Sequence, residues 1–509
     1  MLRAPVALFL IASNVLTAVP AAAQARATPA SQLPSLGDGS SMTTSAERRL
    51  GERIAREIYR DPDYIDDPVL VEYVQGIWQR LLDAARQRGE LTEELDQRFA
   101  WEVLMGADRT INAFALPGGY LGLHLGLIAV VEQPDELASV LGHELSHVTQ
   151  RHISRMMESQ SRQTPWMIGA MILGALALSK SPDASNALIV GGQAAAVQSQ
   201  LNFSRDMERE ADRIGYGVMT QAGYDPLGFV SMFEKLQQAS RISDNGSFPY
   251  LRSHPLTTER IADMQLRQSQ DDRSHPMAPN TMQAMMAARA RVLGNPGVDL
   301  LRAWVSEAKS ARPTGPAMDV RNAGVLYAGT LSALRQRDFA AARSLVVRLQ
   351  ALVAPDAAAA RIAHLLAAEI EWGAGDLPAT AALLDMNAPG RPELVLGSQV
   401  RTRMGQASEA IARLQPWVAL HPRDGTAWQL LAAAYAAQGQ TLRSIRAEAE
   451  MQVARLDYSG AMDRFRAAQD WVRKPPPGSG PVDDIEASII DTRTRQIQAL
   501  LKEQALDKQ

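Results

Sequence analysis

The chain of 509 residues carries 52 basic and 56 acidic side chains, a formal net charge of −4, with 46% hydrophobic and 21% charged residues. That composition supports packed cores in two or three domains. It excludes a largely disordered chain, a coiled coil or a collagen-like fibre, and the lack of net positive charge argues against a nucleic-acid partner. Cysteine is absent, so disulfides, thiolate metal sites and thiol nucleophiles are excluded, and any bound metal must use His, Asp or Glu.

In chain order, Arg3, the uncharged apolar run 5–19 and the small residues Ala21, Ala22 and Ala23 predict a cleaved signal peptide over 1–23. No cysteine follows the cleavage site, which excludes a lipid anchor there, and the expected compartment is the periplasm. Residues 24–45, rich in Ser, Thr, Pro and Gly, read as a flexible leader. Helical periodicity starts near Ala46 with Leu50, Ile54 and Ile58, and returns over 69–87 with Val74, Ile77, Trp78 and Leu81 on one face. Residues 99–104 read as a strand. With the Gly-Gly turn and alternation of NAFALPGGYLGLHLGLI (112–128), they predict a small antiparallel sheet beside the helices.

Pro134, Asp135 and Glu136 open a helix predicted to reach about Ser159. The uncharged run 166–178 would span ~20 Å as a helix against ~30 Å for a bilayer core, too short to cross. Residues 166–197 therefore read as a buried helical hairpin or as a surface touching membrane or a large partner. From about 320 the chain becomes rich in Ala, Leu, Arg and Gln. Turn signals at Arg337-Asp338, Gly375-Asp376, Gly405-Gln406 and Gly439-Gln440 are separated by 38, 30 and 34 residues. This period, with Trp428, Leu431 and Tyr435 ahead of Gly439, predicts a tetratricopeptide repeat solenoid over 318–470. The proline-rich stretch 474–481 breaks it, so that 474–509 reads as a linker and a last amphipathic helix over about 483–506.

The chemistry centres on His143-Glu144-Leu145-Ser146-His147, an HExxH motif. With 8 histidines in the chain, chance supplies on the order of 0.01 such motifs. Four residues apart on a helix, both imidazoles face one way and can grip one ion, with Glu144 beside them as general base. A third protein ligand is required. His152 lies roughly 140° around the helix from His147, a surface or supporting position. In FSRDMEREADRIG (203–215), Glu208 and Asp212 share a face while Glu210 points almost oppositely. Glu208 as ligand and Asp212 as support is one assignment; a solvated charged face with intrahelical pairs is the other. His254, in SHPLTTERIADM (253–264), is by itself either a turn residue or a metal ligand.

HExxH, the ExxxD helix and NAFALPGGY together resemble the Ste24/HtpX-type zinc metallopeptidases of the gluzincin class. The signal peptide and repeats make the chain similar to their periplasmic BepA-like branch. The resemblance implies an α+β, mostly α, zinc peptidase domain over 46–300 with one zinc ion held by His143, His147 and Glu208. Glu144 is then the general base and Asp212 supports a ligand. It also implies that His254 takes the open coordination position as an inhibitory latch, and that residues 117–120 and the following strand border the cleft. The implied activity is endoproteolysis of misfolded or stalled outer-membrane β-barrel proteins in contact with their assembly machinery. The alternative is a chaperone or assembly factor whose zinc site stays largely latched.

Overall fold

The computed structural model describes residues 42–159, 204–242, 249–269, 279–312, 316–477 and 481–506. The expected signal peptide, most of the leader and the apolar stretch 166–197 lie outside the described residues. Among those described, no helix is long and apolar enough to cross a membrane.

Helix α1 (Thr44–Arg60) starts where Thr43 accepts from the Ala46 amide, and it buries Leu50 and Ile54. Helix α2 (Pro68–Arg88) is capped by Asp67, begins on proline and ends at Gly89 in the left-handed region, φ 74°. Its buried face is the predicted one, and Trp78 donates its indole N–H to the Trp101 carbonyl at 2.9 Å. After the short α3 (Glu93–Arg98) come β1 (Glu102–Gly106), β2 (Ala113–Leu116) and β3 (Tyr120–His124).

The sheet is mixed, which corrects the antiparallel expectation. Strand order is β1-β3-β2, with β1 parallel and β2 antiparallel to β3. The Pro117–Gly119 turn, with Gly118 and Gly119 at φ 73° and 85°, closes β2 and β3 into a hairpin. The 107–112 link crosses over the end of β3 before β2 starts, so β1 lands on the far side of β3 running the same way. Gly126 allows that crossing: a Cβ there would sit 2.2 Å from the Arg109 carbonyl oxygen. His124 is buried beneath the crossing, its Nδ1 2.8 Å from Thr110 Oγ1, so it is a core histidine.

Helix α4 (Leu125–Val130) leads to α5 (Pro134–Thr149), whose first turn is anchored by Glu136 accepting from the Glu132 amide and pairing with Lys235. The helix does not continue to Ser159 as periodicity suggested. Arg151 adopts φ 53°, and α6 (His152–Ser159) starts in a new direction. Its left-handed backbone is held by its own side chain, which donates to Glu47 at 2.9 Å and to the Met42 carbonyl. Beyond lie α7 (Arg205–Gln221), α8 (Leu227–Ile242), α9 (Pro249–Ser253), α10 (Thr258–Ser269) and α11 (Thr281–Leu293).

The remainder is a succession of helices, each packed on the next, from α12 (Val298–Ser310) and α13 (Pro316–Arg335) to α14 (Phe339–Val353), α15 (Ala357–Ala374) and α16 (Leu377–Leu383). It continues through α17 (Arg391–Arg403), α18 (Ala407–Leu420), α19 (Gly425–Ala437), α20 (Thr441–Ala454) and α21 (Tyr458–Arg473) to α22 (Asp484–Leu506). All four turn signals read from the sequence contain a left-handed residue: Arg337, Gly375, Gly405 and Gly439. One apolar cluster runs from Val69 to Val400, and a second joins Leu50, Ile54 and Tyr120 to Leu442, Phe465 and Ile490.

Candidate metal centre

Helix α5 is buried along almost its whole length, so its two imidazoles and Glu144 stand in a water-poor interior. Helix α7 crosses α5 where glycine faces glycine. A Cβ on Gly215 would lie 3.0 Å from the Gly142 carbonyl carbon and the His143 nitrogen. Two backbones approach that closely only without side chains between them, and the approach brings α7 carboxylates to the α5 histidines. Glu208 and Asp212, one turn apart on α7, are both buried.

The interatomic distances define one cluster. His147 Nε2 is 3.0 Å from His143 Nε2, and the Glu208 oxygens stand 3.5 Å from each of these nitrogens. Asp212 Oδ1 is 2.9 Å from His143 Nδ1, the far side of the ring. His254 follows α9, its amide donating to the Tyr250 carbonyl and its ring stacked on Tyr250 with centroids 4.7 Å apart. Its Nδ1 is 3.0 Å from Glu208 Oε1 and 3.3 Å from His143 Nε2. One ligand atom from each of His143, His147, Glu208 and His254 lies within 4.8 Å of the others, all buried. Three imidazole nitrogens and a carboxylate oxygen gathered in one buried volume are donor types that a divalent metal takes, so the donor set fits a metal ion.

Glu144 is fixed from the sheet. Its Oε2 accepts from the Ala115 amide of β2 at 2.8 Å, and its Oε1 is 3.4 Å from His254 Nε2. The resemblance implied that the strand after residues 117–120 borders the cleft. That strand, β3, is the middle of the sheet with a neighbour on either side, and it is β2 that reaches the site.

Burial raises the Glu144 carboxyl above its ordinary value, opposed by His254 and His143. Burial pulls His143 down, but its hydrogen bonds to Asp212 and Glu208 prevail and hold it up at about 9. Burial and the neighbouring His143 push His147 well below its usual range. Glu208 ends well below the carboxylate range: burial raises it, and His254 and His143 more than offset that.

Sequence reasoning missed Arg260. Its guanidinium makes a two-pronged contact with Asp212, at 2.6 and 2.7 Å, and its Nη1 lies 2.8 Å from Glu208 Oε2. It also donates to the Pro255 carbonyl at 2.9 Å, tying together the segment that carries His254. Its place six residues after His254 was the available signal. His152 is fully buried, not on the surface, because the break at Arg151 turns α6 back toward α5. Its Nδ1 stands 2.9 Å from His147 Nδ1.

Residues 72–268 match the model of peptidase family M48. The beta-barrel assembly-enhancing protease of Escherichia coli is 31% identical over 443 residues, 84% of this chain and 85% of its own. A Vibrio cholerae protein named as a candidate of that class is 36% identical over 241 residues, 47% of this chain and 48% of that one. The mitochondrial metalloendopeptidase OMA1 of Arabidopsis thaliana is 32% identical over 161 residues, 32% of this chain and 30% of its own. With a motif helix, a crossing carboxylate helix and a buried donor set that fits a metal ion, the chain belongs to peptidase family M48 and is a metalloendopeptidase of the beta-barrel assembly-enhancing protease type.

Proposed function

We propose that this chain is a periplasmic zinc endopeptidase that degrades misfolded or stalled outer-membrane β-barrel proteins. Supporting this reading is the match over 84% of the chain to a protease named for β-barrel assembly. The observation that carries the chemistry is the convergence of His143 Nε2, His147 Nε2 and the Glu208 carboxylate in one buried volume. These three would hold zinc, and His254 stands beside them in the same cluster. Two imidazoles and a carboxylate are a usual catalytic zinc set.

Bound there, zinc would polarise the scissile carbonyl and lower the pKa of an attacking water toward ~7. Glu144 takes that water's proton at Oε1 and delivers it to the leaving amine, while the Ala115 amide fixes Oε2. A carboxyl raised by burial is a stronger base than an exposed one, which suits this task. The Asp212 carboxylate, 2.9 Å from His143 Nδ1, favours a proton on that nitrogen and so would leave Nε2 to a metal. A substrate strand pairs along β2, the outer strand of the sheet, whose Ala115 addresses Glu144. His254 shares that space with Glu144 and must withdraw for a peptide to enter.

The peptidase domain occupies 46–300 and a tetratricopeptide domain 318–470, the latter recruiting substrates or components of the assembly machinery. The left-handed turns at the expected period and the paired helices support the repeat reading. Degradation of an unfolded outer-membrane β-barrel protein by zinc-loaded wild type and Glu144→Gln tests the proposal. Cleavage slowed by on the order of 10²–10⁴ in the variant is expected. Equal cleavage by both, or none by wild type with zinc bound, would contradict it.

A further inference from the structure

The second α5 imidazole has a support of its own, distinct from the Asp212 carboxylate behind the first. His147 Nδ1 lies 2.9 Å from Nδ1 of His152, and the two rings meet edge to face with centroids 4.8 Å apart. His152 Nε2 is 3.1 Å from Glu210 Oε2, and the same oxygen accepts from Arg155 at 2.9 Å. His152 is fully buried, and the Glu210 side chain is 30% exposed. The line therefore runs from the centre of the site to the surface. The helical wheel left Glu210 facing away from Glu208 and Asp212, and α6, redirected at Arg151, comes round to meet it.

Hydrogen-bonding capacity decides where the protons sit. An ionised carboxylate only accepts, so Nε2 of His152 carries the proton that points at Glu210. Two Nδ1 atoms at 2.9 Å share a single proton. If it sat on His152, His147 would carry its own proton on Nε2 and could not bind a metal. If it sits on His147, Nε2 is unprotonated and aimed at His143 and Glu208. We infer that His152 and Glu210 are positioning residues that hold His147 in its Nδ1–H form, with Nε2 presented to the metal. Arg155 keeps Glu210 in place. Helix α7 thereby supplies the candidate ligand Glu208 and a support for each α5 histidine, Asp212 directly and Glu210 through His152. The inference rests on His147 being a zinc ligand.

The test is zinc affinity by competition with a chromophoric chelator, on the full chain. His152→Phe removes the acceptor and should weaken zinc by about 10–100-fold. His152→Asn keeps an oxygen acceptor near the Nδ1 position and should recover most of that loss, which a mere space-filling role would not produce. Because a buried aromatic can misfold, the second measurement is the tautomer of His147 in the metal-free wild type, by long-range proton–nitrogen correlation on a histidine-labelled sample. Protonated Nδ1 is expected. An Nε2–H tautomer, or zinc binding unchanged in His152→Phe, overturns the inference while leaving the zinc site standing. No zinc binding by wild type would overturn the ligand reading itself and the relay with it.

Discussion

His254 and Arg260 belong to one short segment and touch the two α7 carboxylates from the same side. His254 Nδ1 meets Glu208, and Arg260 grips Asp212 with two nitrogens and Glu208 with a third. A cation and an imidazole therefore face the charge that the donor set concentrates, and withdrawal of the segment would expose both carboxylates together. If His254 is the latch, His254→Ala should retain zinc on His143, His147 and Glu208 and cleave an unfolded substrate faster. With the open form at a tenth of the population or less, the gain is roughly tenfold or more. Cleavage rates equal to wild type, at equal zinc content, would rule the latch out. At this scale the sequence displayed His143, Glu144 and His147 through their fixed spacing. It left Glu208, Asp212 and His254 undecided without a resemblance, because a carboxylate pair on a helix or a His-Pro loop has common structural uses. Arg260 was not assigned at all, and His152 was left between a surface and a supporting position: their partners lie on other helices, and helical-wheel geometry fails where Arg151 ends the helix.

Helices α5 and α7 meet at Gly142 and Gly215, and that crossing sets the distance between histidines and carboxylates. A branched side chain at 215 would place its Cβ 3.0 Å from the His143 nitrogen, so the α5 backbone would have to give way. Gly215→Val should therefore push α7 away, lower stability by about 1–3 kcal/mol and cost the chain its zinc. Thermal unfolding and metal content measured together check this; a variant matching wild type in both would show that the crossing does not set the site. Among the elements, α1, α2, the C-terminal helix and the start of α5 followed from periodicity and caps. The sheet did not. Alternation and a Gly-Gly turn identify a hairpin, but nothing local says on which side of it β1 lies, since that depends on the 107–112 crossing and the room Gly126 leaves for it.

Across the whole molecule, charged side chains tie the start of α2 and helix α11 to the helices that follow. Arg391 pairs with Asp66, ahead of α2, and with Asp424, the cap of α19. Arg289 of α11, buried, joins Asp67 to Glu369 of α15. The first apolar cluster continues through the same elements to Val400. Composition and turn spacing announced a helical array after about 320, yet not its union with the preceding helices, since long-range ion pairs leave no periodic trace. The metal centre itself is the claim on which the account depends. Metal content of the purified chain, by elemental analysis of wild type and Glu208→Gln under identical treatment, tests it most directly. About one zinc per wild-type chain and a near-complete loss in Glu208→Gln, with the variant still folded, is the predicted result. Full zinc in the variant, or a wild type that binds none, would contradict it.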